Sequence, residues 1–176
     1  GLTGRVLGIE RVPVVKNQAM PAYDPRAVQG MGVTYATCPM GADHTAGNAL
    51  PSPANPTYNP TASSGQAPVS GFLQWYFAAI DSLGICLFAS LPLLDMPDLM
   101  KYLINCAAAA TGEAADENYL MNLGVSVLKA EKKFNDAAGF KAKDDRLPEF
   151  FTKEALSPSG LVFDVSDEEV DTALKF

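Results

Sequence analysis

The run Phe72-Leu73-Gln74-Trp75-Tyr76-Phe77, passing into Ala79-Ile80-Asp81-Ser82-Leu83-Gly84-Ile85-Cys86, most constrains what this chain can become. Its first part is apolar enough to form a helix buried among other helices. The helix then carries an acid, Asp81, and meets Gly84, a poor helix residue. A cysteine follows two residues on. An unpaired buried charge is costly, so an acid in this setting is expected to have a partner. A thiol at a helix break can act as a ligand. As a bare pattern, Asp-x-x-Gly-x-Cys also describes an ordinary helix C-terminus with a core cysteine, and the rest of the chain has to separate the two readings.

A length of 176 residues suits one domain with a real core, or one domain with a piece of another. The net charge of −7, without a basic cluster, argues against nucleic acid and anionic membranes as partners. The cysteines, Cys38, Cys86 and Cys106, are odd in number and widely spaced. They make no disulfide framework and suit a reduced, cytoplasmic setting. The longest apolar run, Phe72 to Leu94, is interrupted by Gln74, Asp81 and Gly84 and by proline and serine. It is expected to be a core segment and not a membrane span. Both ends read as cut: Gly1-Leu2-Thr3-Gly4 has no initiator methionine or signal peptide, and Leu174-Lys175-Phe176 ends a helix opened by a Ser166/Glu169 capping box. The expectation is a fragment of a larger protein.

Taken in order, Val12 to Lys16 is at most a short edge strand, because Pro13 limits pairing. Asp24 is expected to N-cap a helix from Pro25 to about Thr37. Gly30 and Gly32 weaken that helix, and serve either close approach of a ligand or backbone, or plain helix–helix contact. Cys38 to Gly47 is a loop holding His44, the one histidine of the chain. A lone histidine is more often structural than catalytic, and its neighbour Asp43 would not face it in a helix or a strand. Residues 48–70, with Pro51, Pro53, Pro56, Pro60 and Pro68, read as a surface loop. Asp95-Met96-Pro97-Asp98 starts a helix that Gly112 stops, with Cys106 in its core-facing run. The longest helix spans Glu113 to Ala138, with Tyr119, Leu120, Leu123, Val127, Leu128, Ala130, Glu131 and Phe134 in a 3.6-residue pattern and Gly139 as its cap. Lys141 to Arg146 is a solvated charged loop, and Leu147 to Phe151 an apolar anchor. The fold class is all-α, with little or no sheet.

Three stretches together resemble the tungsten- or molybdenum-containing aldehyde ferredoxin oxidoreductases. They are Met20-Pro21-Ala22-Tyr23-Asp24-Pro25-Arg26 with Gly30-Met31-Gly32 and Tyr35-Ala36-Thr37; Gly41-Ala42-Asp43-His44-Thr45-Ala46-Gly47; and Asp81-Ser82-Leu83-Gly84-Ile85-Cys86. Asp145-Arg146-Leu147-Pro148 resembles a later landmark. The resemblance implies that residues 1–176 are the helical C-terminal region of an enzyme that oxidises aldehydes to carboxylic acids. It implies a metal held between two pterins, a [4Fe–4S] cluster beside it, and ferredoxin or a similar carrier as electron acceptor. Asp81 would accept hydrogen bonds from pterin N–H groups, and Gly84 would let the backbone approach the ring. Ile85 stands where leucine is commoner. Cys86 would be the last thiolate ligand of the cluster. His44 resembles the family histidine near the metal, where it could exchange a proton with the substrate oxygen.

The chain departs from the family pattern in lacking the clustered cysteines for the rest of the cluster, the first pterin motif and the N-terminal β-rich domain. Neither Cys38 nor Cys106 has the spacing to replace those cysteines. The isolated chain is therefore expected to hold neither cofactor and to be inactive. The competing reading is a cofactor-free helical interaction module, which would not need Asp81, Gly84, Cys86 and His44 together. No residue chooses between tungsten and molybdenum, names the aldehyde or fixes an oligomeric state, a homo-oligomer included.

Overall fold

A computed structural model describes residues 1–176 except Ala54, Glu113, Ala115 and Glu117. Helix α1 (Leu2–Leu7) stops at Gly8, whose φ of 65° is left-handed. The two-residue strands β1 (Val14–Val15) and β2 (Gln18–Ala19) pair antiparallel, Val14 opposite Ala19. Lys16 and Asn17 make the turn between them, both at positive φ. The main regular elements that follow, joined by loops, are helices: α2 (Gln29–Thr37), α3 (Gln66–Ser82), α4 (Leu87–Asp95), α5 (Pro97–Thr111), α6 (Tyr119–Ala138), and the single-turn helices α7 (Phe150–Lys153) and α8 (Asp167–Val170). The all-α expectation holds.

Helix α2 is buried along its whole length. It starts four residues later than expected: Asp24 caps a turn at residues 25–27, and Val28, extended at φ −133°, separates that turn from the helix. Asp24 Oδ1 accepts from the Arg26 amide at 2.9 Å, and Oδ2 pairs with the Arg26 guanidinium at 2.7 Å. The glycines of α2 make room for side chains: Tyr58, Ala49 and Gln66 crowd Gly30, and the Phe163 ring lies against Gly32. They serve packing. Gln29 pins the tail to α2, donating to the Val162 carbonyl at 2.8 Å and accepting from the Asp164 amide at 3.2 Å.

Helix α3 is the axis of the molecule. Its Leu73, Tyr76, Phe77 and Ile80 are buried with Ala49, and α4 and α5 pack Leu87, Leu94, Met100 and Leu103 against them. The other side of the core joins Val33 and Ala36 of α2 to Phe151, Phe163, Val165, Val170 and Ala173 of the tail. The proline-rich loop ends at Gly65, so Gln66 to Ser70 already belong to α3. At that N-terminus Glu169 Oε1 accepts from the Gln66 and Ala67 amides at 2.7 and 3.0 Å. The Ser166 hydroxyl accepts from the Glu169 amide at 3.2 Å, as a capping residue should, but the Glu169 side chain is used on another helix. Helix α8 also ends at Val170, well short of the chain terminus.

Helix α6 lies along α3, with Leu120, Gly124 and Leu128 buried. Ala130, Glu131 and Phe134, expected on the inward stripe, are exposed. The packed contact follows a narrower row and leaves the last turns open. Tyr119 is the first helical residue, and the expected start at Glu113 lies outside the described residues. Gly112 and Gly139 end α5 and α6 in the left-handed conformation, as read. Two expectations fail between Leu87 and Thr111. The stretch Leu87 to Leu94 is a largely exposed helix and not core, with Phe88 78% exposed. Cys106 is exposed, because α5 presents Met100, Leu103 and Ala107 inward and Cys106 falls outside that row.

Candidate functional site

The site expected from the sequence has two parts, the turn after α3 and the loop from Cys38 to Gly47. The turn is closed by backbone geometry. The Ile85 amide donates to the Ile80 carbonyl at 3.1 Å and the Gly84 amide to the Asp81 carbonyl at 3.0 Å, the paired bonds of a Schellman cap. Its left-handed residue is Gly84, at φ 69°, with open space where a side chain would stand. Ile85 packs down onto the α3 core, which anchors the turn. Cys86 then caps α4, exposed and unpaired in any disulfide.

Asp81 is exposed, where a buried, partnered acid was expected. Among the described residues its carboxylate makes no hydrogen bond or ion pair. Partial burial, and next the charge of Asp43, push it above the usual carboxylate range. Glu131 of α6 is raised for the same reasons, burial first and then the charge of Asp81. Asp81 therefore lies near enough to Asp43 of the loop to be raised by its charge, and to Glu131 of α6 to raise that group in turn.

The Cys38–Gly47 loop is held at several points. Lys16 Nζ donates to the Ala36 and Cys38 carbonyls at 2.7 and 3.1 Å. Asn135 of α6 donates to the Pro39 carbonyl at 2.8 Å. The Thr34 hydroxyl donates to the Gly47 carbonyl at 3.0 Å. Within the loop, Asp43 Oδ2 accepts from the Thr45 hydroxyl at 2.6 Å and the Ala46 amide at 3.1 Å. Its other oxygen stands 3.8 Å from His44 Nδ1. The His44 ring also lies against Tyr23, with centroids 5.2 Å apart, and its side chain is 31% exposed.

Sequence reasoning missed two of these groups. Asp43 faces His44 after all, because the loop is neither helix nor strand and periodicity says nothing about it. Glu131 was assigned to the inward stripe of α6, and its nearness to Asp81 depends on how α6 crosses α3. The remaining thiol, Cys38, is buried at 3% exposure, and burial pushes it up to about 11. Titrating the native chain with a disulfide reagent near pH 8 is expected to modify Cys86 and Cys106 quickly and Cys38 only after denaturant is added. Three fast-reacting thiols would contradict the buried placement of Cys38.

The donor set at the α3–α4 turn fits a pterin beside an iron–sulfur cluster. It has an unpaired carboxylate for ring N–H groups, a bare backbone at Gly84 and an exposed thiol. Among the described residues no three histidine, cysteine or acidic side chains stand together as a metal site. Nor is any helix among them long and apolar enough to cross a membrane.

The chain is mostly helical in fold and carries both the Asp81–Cys86 turn and the histidine loop. Over residues 4–175 it matches the family described as aldehyde ferredoxin oxidoreductase, domains 2 and 3, and it belongs to that family. It is 36% identical over 154 residues to the tungsten-containing aldehyde ferredoxin oxidoreductase of Pyrococcus furiosus, covering 83% of this chain and 24% of that protein. The protein of that name from Thermococcus kodakarensis is 35% identical over 154 residues, with the same coverage of 83% and 24%. That of Pyrococcus abyssi is 33% identical over 167 residues, covering 90% of this chain and 26% of its own length. The chain spans about a quarter of the length of the curated relatives it matches.

Proposed function

We propose that this chain is the helical C-terminal region of an enzyme that oxidises aldehydes to carboxylic acids and passes the electrons to ferredoxin or a similar carrier in a reduced, cytoplasmic setting. The observation that carries the reading is the Asp81–Cys86 turn, with Asp81 unpaired and Cys86 exposed, in a chain that matches the family over residues 4–175. When bound, a tungsten or molybdenum bis-pterin with its [4Fe–4S] cluster supplies the redox chemistry: R–CHO + H2O gives R–COOH, two protons and two electrons.

This chain's own residues do the rest. Asp81 binds pterin N–H groups; donors from the ligand offset the partial burial, and next the charge of Asp43, that raise it in their absence. Gly84 keeps the backbone low enough for a flat ring to lie against it. Cys86 supplies one thiolate, and the Schellman cap before it fixes its distance from Asp81. The other cluster thiolates come from polypeptide outside these residues, so the isolated chain is inactive. His44 gives or takes the proton at the substrate oxygen.

The test is metal content of the full reading frame that contains this chain, purified without oxygen. Iron together with tungsten or molybdenum is expected, and Cys86→Ser should lose iron while the fold survives. A protein without metal would overturn the reading and leave a helical interaction module to be pursued by partner binding.

A further inference from the structure

Asp43 and His44 are adjacent in sequence, yet the loop turns both side chains to the same side. The carboxylate is fixed from behind. The Thr45 hydroxyl and the Ala46 amide both donate to Oδ2, at 2.6 and 3.1 Å, leaving Oδ1 without a donor of its own. Oδ1 lies 3.8 Å from His44 Nδ1, too long for a hydrogen bond. At that distance the carboxylate charge still faces Nδ1 and favours a proton there over a lone pair. The ring's position is otherwise set by Tyr23, whose ring lies beside it and whose carbonyl accepts from the Tyr35 hydroxyl at 3.2 Å. A fixed carboxylate on one side and an aromatic ring against it orient the imidazole about its own axis.

We propose that Asp43 is a positioning residue for His44. Its carboxylate selects the neutral tautomer that carries the proton on Nδ1, and leaves Nε2 as the nitrogen that exchanges a proton with substrate. The partner of one ring nitrogen sets the protonation of the other. Without such a partner the two tautomers differ little and the wrong one faces the substrate part of the time. Thr45 acts one step further back, since its hydroxyl holds Oδ2 and so aims Oδ1. The inference rests on the reading of His44 as the proton-exchanging residue, but its test does not need the cofactor.

His44 is the single histidine of the chain, so histidine-selective 15N labelling gives one imidazole spectrum without assignment. Long-range 1H–15N correlation on the 176-residue chain, at a pH where the ring is neutral, reads the tautomer directly. The Nδ1–H form is expected to dominate. Asp43→Asn should shift the ratio severalfold toward Nε2–H, because the charge that faces Nδ1 is removed. Thr45→Val should move it the same way by less. A dominant Nε2–H form in the parent chain overturns the proposal whether or not the variants fold, as does an unchanged ratio in Asp43→Asn. A failure here leaves the metal-content test untouched, and a protein without metal leaves the tautomer result standing.

Discussion

Gly124→Ala is expected to lower the melting temperature by about 4–8 °C, although alanine is the better helix former. Gly124 sits where α6 crosses α3, and an added Cβ would overlap the Trp75 carbonyl oxygen and crowd its carbonyl carbon. Both partners are helix backbone, so no side-chain rotation relieves the overlap and the two helices must separate. Overpacking of that kind costs about 3 kcal/mol. The gain in helix propensity returns about 1 kcal/mol. The balance, about 2 kcal/mol, corresponds to the stated shift for a chain of this size. Asn122→Ala, on the exposed side of the same helix, should change stability by no more than about 0.5 kcal/mol. Thermal unfolding of both variants decides it: an unchanged or raised melting temperature for Gly124→Ala would mean that α3 and α6 are not in backbone contact there. The consequence reaches the site. Helix α6 carries Asn135, which holds Pro39, and Glu131, which faces Asp81. Spreading α3 and α6 would loosen the His44 loop as well.

Legibility followed the range of the interaction. Gly112 and Gly139 were readable as helix ends because a left-handed residue after a helix is a local demand that glycine meets. Gly84 is the same case, and the spacing from Asp81 to Cys86 is the span of one Schellman turn, which is why the stretch stood out. Asp24 does cap a turn through the Arg26 amide, as its residue type allows, but the extended Val28 breaks that turn from the helix, and no local signal marks the break. Ser166 and Glu169 have the capping-box spacing, yet the glutamate serves α3, far away in sequence. Cys106, Ala130, Glu131 and Phe134 were misplaced for a shared reason. A 3.6-residue pattern names a face, but how much of it is covered depends on crossing angles that no local window contains. The helix Leu87–Asp95 shows the limit of hydropathy: its apolar residues suit a core, yet Phe88, Leu91 and Met96 beside it are open to solvent. At the site, residue types were legible through a resemblance and not through physics. The juxtaposition of Asp43 with His44 was not legible at all, since it belongs to an aperiodic loop.

Lys16→Met should be the most damaging single change outside the hydrophobic core, at about 3 kcal/mol. The Lys16 side chain is 4% exposed, and its ammonium meets the Asp145 carboxylate, 19% exposed, as well as the Ala36 and Cys38 carbonyls at the end of α2. Lys141 to Arg146 is thus not merely a solvated loop, since Asp145 is the counter-ion of a buried cation. Removing one member of a buried pair costs about 3–5 kcal/mol, because the other is left uncompensated. The lower end applies here, since Lys132 stands 4.0 Å from Asp145 and can partly replace the lost charge. Asp145→Asn should cost less, about 1–2 kcal/mol, as the ammonium keeps its two carbonyls. Combining both changes should cost less than the sum of the two, and urea unfolding of all four proteins measures the difference. Strict additivity would show that Lys16 acts on the α2 carbonyls alone. The two carbonyls bracket the point where α2 ends and the His44 loop begins. Amide exchange from Asp43 to Gly47 should therefore quicken in Lys16→Met before the protein unfolds, because the anchor of that loop is lost while its own hydrogen bonds remain.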